Sequence, residues 1–468
     1  MSSRKIPRGR QTPHASRTLM HLERLERRLP LAGDVTAQLV GSTLRLTGDS
    51  LGNDVLVASA PGGRIAVIGN ATTINGASST FVTDAAVTAI IADLRGGNDE
   101  IGFGNRAQDF VGTRLDVYSF FVPALSSMPF DAVALQAAID GVSGGVTSFT
   151  IPGDVTVFAR GGNDGVGING TVGGSVVVNL GEADAGNVVA IGGESSASRV
   201  RGSVTVTGGS RADIVGIGNA IVDGRVSVAL GDGDNWFFGG GETATAFGAL
   251  AYTGGANADV VALLGDVTVG SDVRISTGLR GADFVGFSNS EAGGTVKVRG
   301  NVVVNTGTGN DGDTVDLVGD IRGTVTVTTG GGRDTVSVSS LVVWNSFEGS
   351  DPVPTFVTAG PSAIGRDLTI NTGAGDDLIS IGTSTIGRHV RIDTGLGNDR
   401  VAIDNLRVGR NLFVGLGAGN DALEVKNLRA AAAVLAGGVG SNSLVTDTAT
   451  RTANRRLTAF GFRPVNNG

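Results

Sequence analysis

The chain is predicted to be all-β, a right-handed parallel β-helix (β-solenoid) with coils of about 22 residues and three strands each. Three observations carry this. From Leu368 to Asn442 the sequence repeats every 22 residues: TINTGAGDDLISIGTSTIGRHV, then RIDTGLGNDRVAIDNLRVGRNL, then FVGLGAGNDALEVKNLRAAAAV. Apolar residues within each repeat come in pairs two apart, the period at which a strand shows one face. The 77 glycines among 468 residues follow no collagen period and so serve turns. A 22-residue unit cannot bury an apolar face alone, so it must stack on its neighbours.

The register of the repeat is explicit. Ile379, Ile381, Ile386, Val390 and Ile392 align with Val401, Ile403, Val408, Leu412 and Val414, and then with Leu423, Val425, Ala430, Val434 and Ala436. The turn acid falls at Asp377, Asp399 and Asp421. Upstream the turn recurs less regularly, its acid or amide at Asp54, Asp99, Asp164, Asn187, Asp213, Asn235, Asp259, Asp283, Asp311 or Asp313, and Asp334. Gaps of about two periods, from Asp54 to Asp99 and from Asp334 to Asp377, read as two coils with one turn lacking the motif. That gives roughly 15–17 coils and a rod on the order of 75 Å long.

Residues 1–33 differ in kind. They hold eight Arg or Lys against two Glu, and Leu19, Leu22, Leu25 and Leu29 sit at helix-compatible spacings before Pro30. The reading is a basic leader with a short amphipathic helix, otherwise disordered. The solenoid then spans 34–460, with insertions at about 106–150 and 342–365, and 461–468 form a tail. The first insertion carries Tyr118, Phe120, Phe121 and Phe130 and a helix expected over Asp131–Asp140. The second carries Trp344, Phe347, Glu348 and Asp351. Leu457, Phe460 and Phe462 suggest a last capping strand.

Charge and composition exclude several classes. Net charge is −8, which leaves about −14 for the body once the basic leader is set aside. Nucleic acid is therefore not an expected partner. No apolar run approaches the roughly 18 residues of a membrane span. Without cysteine there is neither disulfide framework nor thiolate metal site. Lys297 and Lys426 are isolated, and GDGDNWF (Asp232, Asp234, Trp236) reads as a divergent turn with an apolar plug rather than a catalytic pair.

The repeated turn (GAGDD, GLGND, GAGND, GGGRD, GGND) is the one motif with a mechanism. Glycine permits positive φ, and Asp or Asn accepts hydrogen bonds in its own turn. Stacked identical turns would set carboxylates about 5 Å apart, each pair costing roughly 1 kcal/mol in water. A hard cation such as calcium, which takes oxygen ligands, would relieve that repulsion. An Asn/Asp ladder hydrogen-bonded without metal is the other reading.

Two resemblances add to this. LERLERRLPLAG resembles the LE-x-LE-x-R-x-L segment near the N-termini of planctomycete surface and secreted proteins, and LRLTGDSLGNDVLV and IADLRGGNDEIGFG are similar to the opening of their degenerate repeats. This implies export to the cell surface. The segments 373–381, 395–403 and 417–425 resemble in part the RTX or haemolysin-type nonapeptide, which binds calcium between turns. By that resemblance Asp377, Asp399 and Asp421 would be ligands, with carbonyls of Gly373, Gly375, Gly395 and Gly397; Asp334, Asp99 and Asp164 sit in similar turns. The match departs in having one turn per 22 residues and Asn at 187 and 235. The expected function is structural or adhesive, non-enzymatic, extracellular or at the cell surface, with calcium ions and cell-surface or matrix glycans as partners. The alternatives are a carbohydrate-binding or polysaccharide-degrading β-helix protein, and an inert spacer or stalk.

Overall fold

The computed structural model describes residues 33–76, 80–105, 142, 148–182, 186–193, 198–288, 294–345, 353–358, 360–453 and 456–463. The basic leader, most of the first insertion with its expected helix, and the tip of the second lie outside these residues.

The described chain is all-β, with one 40-stranded mixed sheet and a separate two-stranded one. In the regular part, Leu368–Asn371, Leu378–Ile381 and Ser384–Ile386 pair in parallel with Val390–Asp393, Arg400–Asp404 and Leu406–Val408 of the next repeat. The antiparallel pairs are hairpins. Asp34–Val40 with Thr43–Thr47, and Asp54–Ala60 with Arg64–Gly69 and Thr80–Val82, lie at the N-terminal end. Ser340–Asn345 with Val353–Thr358 form the second insertion.

Alternation explains the strands. In Val390–Asp393 the β-branched Val390 and Ile392 are buried while Arg391 is exposed. One apolar cluster of such residues extends from Val35 to Leu435. Each Val, Leu or Ile so buried contributes roughly 1.5–3 kcal/mol, and no repeat could collect that gain without its neighbours.

Three expectations are corrected. The Asn53 N–H bonds Asp99, and the Asp334 N–H bonds Asp377, each in one step. The long gaps are therefore single repeats lengthened by hairpins, not pairs of repeats with a missing turn. The turn column has fourteen members among the described residues, and at about 4.8 Å per level it is about 60 Å long. Second, the first member is Asn53 and not Asp54, which opens the following strand; of the pair at 311 and 313, Asp313 joins the buried column. Third, Leu412 and Val414 pair with Ala433 and Leu435 rather than Val434 and Ala436. The step from Asp421 to Asn442 has dropped to 21 residues, and a one-residue slip turns each side chain to the opposite face.

At the C-terminal end Leu457–Phe460 pairs in parallel with Ala432–Ala436, with Leu457 and Phe462 packed against the core. A short helix, Thr448–Ala453, precedes it; the polar, alanine-rich TDTATRTA had no apolar period to announce one.

Candidate functional site

The turns are held open by glycine. Gly395 and Gly397 have φ of +89° and +133°, and a Cβ on either would overlap the carbonyl oxygen of Gly373 or Gly375 one repeat earlier. This close approach lets the turn backbones pair. The Leu396 N–H donates to the Gly373 carbonyl at 2.8 Å, and the Gly397 N–H to the Ala418 carbonyl at 2.9 Å. The carbonyls of Gly373 and Gly395, expected to face an ion, each accept such a main-chain bond from the next repeat.

Two residues past the second glycine, the chain turns an Asp or Asn inward. These side chains form an unbroken column: Asn53, Asp99, Asp164, Asn187, Asp213, Asn235, Asp259, Asp283, Asp313, Asp334, Asp377, Asp399, Asp421 and Asn442. At every step the backbone N–H of one member donates to Oδ1 of the next, at 2.8–3.3 Å. All fourteen are buried, none more than 4% exposed. The six candidate ligands Asp99, Asp164, Asp334, Asp377, Asp399 and Asp421 are thus brought into one line, each with one oxygen engaged by a main-chain N–H.

The second carboxylate oxygen has a varied environment. Thr306 Oγ1 donates to Asp313 Oδ2 at 2.5 Å and Thr329 Oγ1 to Asp334 Oδ2 at 2.5 Å; Thr277 does the same to Asp283. Thr372 and Thr394 occupy the equivalent buried positions and reach the carbonyls of Thr394 and Leu416 at 3.3 and 2.8 Å. Oδ2 of Asp99, Asp164 and Asp421 is buried without a hydrogen-bond partner. The threonine column was missed in the sequence, although its signal, Thr directly before the first turn glycine, stands in TGAGDD and TGLGND.

Burial shifts the titration of the column. Loss of hydration pushes the carboxyls up, to about 7 at Asp99, about 8 at Asp164, about 7 at Asp259 and Asp313, and about 6 at Asp213, Asp283 and Asp377. Asp334, Asp399 and Asp421 are raised for the same reason. A carboxyl that keeps its proton is close in shape and polarity to an Asn amide. The column accordingly accepts Asn at four levels, and the Asn53 and Asn187 amides each add a bond to the next Oδ1 at 3.0 Å.

A second column lies at the residue just before, with opposite polarity. The Asn398 N–H donates to Asp376 Oδ1 at 2.7 Å, Asn420 to Asn398 at 2.9 Å and Ser441 to Asn420 at 2.9 Å, now from the later repeat to the earlier. Asp376, Asn398 and Asn420 are exposed. Asp232 and Asp234 belong to this outer rim, accepting from the Ala256 and Ala258 N–H groups at 2.8 and 3.2 Å. Trp236 packs against Val188, Ala190 and Ile214 and lies 5.6 Å from Phe238. His389, beside Arg388, is half-buried, its N–H on Asp367 Oδ1 at 3.1 Å.

Among the described residues no three His, Cys, Asp or Glu side chains converge as a metal-holding group, and no helix is long and apolar enough to cross a membrane. No family model matches the chain, and no curated protein or solved structure matches it either.

Proposed function

We propose that this chain is a non-enzymatic structural rod, a right-handed parallel β-solenoid exported to the cell surface, whose turns are held by a hydrogen-bonded Asp/Asn column. The observation that carries the reading is the even, unbroken run of that column through fourteen levels. An enzyme concentrates unusual polar groups at one place, whereas here the polar groups repeat level by level and satisfy the backbone. The strand pairing supports the solenoid, since each strand of the regular part pairs in parallel with its counterpart one repeat on. Surface location rests on the resemblance of the leader segment.

The column also bears on calcium. Each Oδ1 is already the acceptor of a buried N–H, which lowers the mutual repulsion of the carboxyls together with their protonation. The rod then needs no ion to fold. Thermal melting of the full chain, followed by far-UV circular dichroism in EDTA and then in millimolar calcium, separates the two readings. A β-rod that melts at the same temperature in both supports the metal-free column. A large gain in melting temperature with calcium, absent with magnesium, would make Asp377, Asp399 and Asp421 ion ligands and sink it.

A further inference from the structure

The stacking that aligns the turn acids also aligns arginines at another corner, where the third strand of one repeat leads into the first strand of the next. Three consecutive repeats place an exposed arginine at the same position there, Arg366, Arg388 and Arg410, and in the two repeats before them the exposed Arg299 and Arg322 stand one residue earlier, next to the equivalent Gly300 and Gly323. Main-chain bonds set Arg366, Arg388 and Arg410 one above another, continuing a column that begins with Gly300 and Gly323. The Gly323 N–H donates to the Gly300 carbonyl at 3.0 Å, Arg366 to Gly323 at 3.1 Å, Arg388 to Arg366 at 2.9 Å and Arg410 to Arg388 at 2.8 Å. The three arginines in register cover about 10 Å at one strand spacing per step. On the adjoining strand face Arg407 pairs in register with Arg429, both exposed. They form a ridge between two shallow grooves of about 480 and 320 Å³, both reaching Ala453 of the short helix.

Acids do not balance this line. Asp367 lies 3.7 Å from Arg388, and Asp320 projects from the neighbouring strand. Two exposed arginines elsewhere are paired across repeats, Arg160 with Asp93 and Arg199 with Asp223. Like charges stacked at strand spacing repel one another, so the free chain leaves the line unsatisfied.

We infer that this corner binds a linear acidic polysaccharide laid along the rod axis. The inference rests on the stacked-rod reading, which makes the arginines a line. One guanidinium per level, at about 4.8 Å, is close to the rise of one sugar in an extended chain, so each uronate carboxylate meets one planar donor fork. Nucleic acid fits less well. The body of the chain is acidic, and among the described residues the aromatic side chain nearest this corner, Phe413, is already covered by Arg391 at 4.8 Å.

The test is isothermal titration of the full chain with polygalacturonate oligomers, at about 0.05 M and about 0.3 M salt, on either side of a Debye length of about 10 Å. Binding that weakens with salt is expected, roughly tenfold weaker for Arg388→Glu with Arg410→Glu and weakened also by the paired Gln substitutions, but unchanged by Arg280→Glu at the turn edge. Dichroism melts of every variant report the rod separately. An intact rod that fails to bind at low salt, or binds equally after both reversals, overturns the arginine line and leaves the rod standing. Equally tight binding of single-stranded DNA overturns the choice of polysaccharide. Loss of the β signal in the unsubstituted chain would instead overturn the rod.

Discussion

Two columns of the same residue types run one residue apart along the same turns, and they differ in nearly everything that matters physically. Asp377, Asp399 and Asp421 are buried, and receive N–H groups from the repeat before. Asp376, Asn398 and Asn420 are exposed, and receive theirs from the repeat after. Geometry alone would make them equivalent. Solvent makes them different, because a hydrogen bond lost at the rim is replaced by water and one lost inside is not.

The comparison can be broken most severely through the glycines on which both columns depend. Gly397→Ala should destabilise the fold by about 3 kcal/mol, since its Cβ meets the Gly375 carbonyl and φ is positive. A shift of the urea midpoint with unchanged slope would measure it. A midpoint close to that of the unsubstituted chain would mean that the repeats are further apart than described.

The inner column is next. Asp399→Ala leaves the buried Asp377 N–H without its acceptor and should cost roughly 1–3 kcal/mol. Asn398→Ala, one residue away, should cost less than about 1 kcal/mol, its partner N–H being open to water. Equal losses in the two variants would erase the distinction between the columns.

Protonation sharpens the same contrast. The inner carboxyls titrate higher in the folded chain than the ordinary 3.8, up to about 8 at Asp164. Folding therefore favours bound protons, and the associated stability is full below about pH 4 and is lost as pH rises through about 6 to 8. Midpoints should fall between pH 5 and pH 8. Asp164→Asn should flatten that fall and raise stability at pH 8 by roughly 1–3 kcal/mol. A midpoint that rises with pH would show the carboxyls to be charged and otherwise stabilised. A modest effect is expected of Thr329→Val, roughly 1 kcal/mol from the lost bond to Asp334 Oδ2.

Much of the fold was legible in the sequence because the regular repeats obey one period. The 22-residue spacing placed Ile379 over Val401 and Leu423, and the pairing is as read. Irregular spacing was less legible. A gap of 45 residues looks like two repeats, and nothing in a string of letters separates a missing turn from a hairpin inserted in one. The last repeat misled for a related reason: AAAAV has apolar residues on both faces, so it could not reveal that Ala433 and Leu435, not Val434 and Ala436, face inward.

What the sequence by itself determined is the strand period, the glycine turns and the list of acids and amides at their ends, because these depend only on local backbone freedom and side-chain alternation. What only the tertiary structure decided is where those carboxyls point and whom they serve. Thirteen hydrogen bonds join residues 21 to 65 positions apart, and whether a carboxyl at such a site meets water, an ion or a buried N–H is set by the repeat stacked on it. The same stacking sets Arg366, Arg388 and Arg410 one above another. Burial is a property of the stacked repeats, and burial is what raises these acids above their ordinary titration while the stacking supplies their hydrogen bonds.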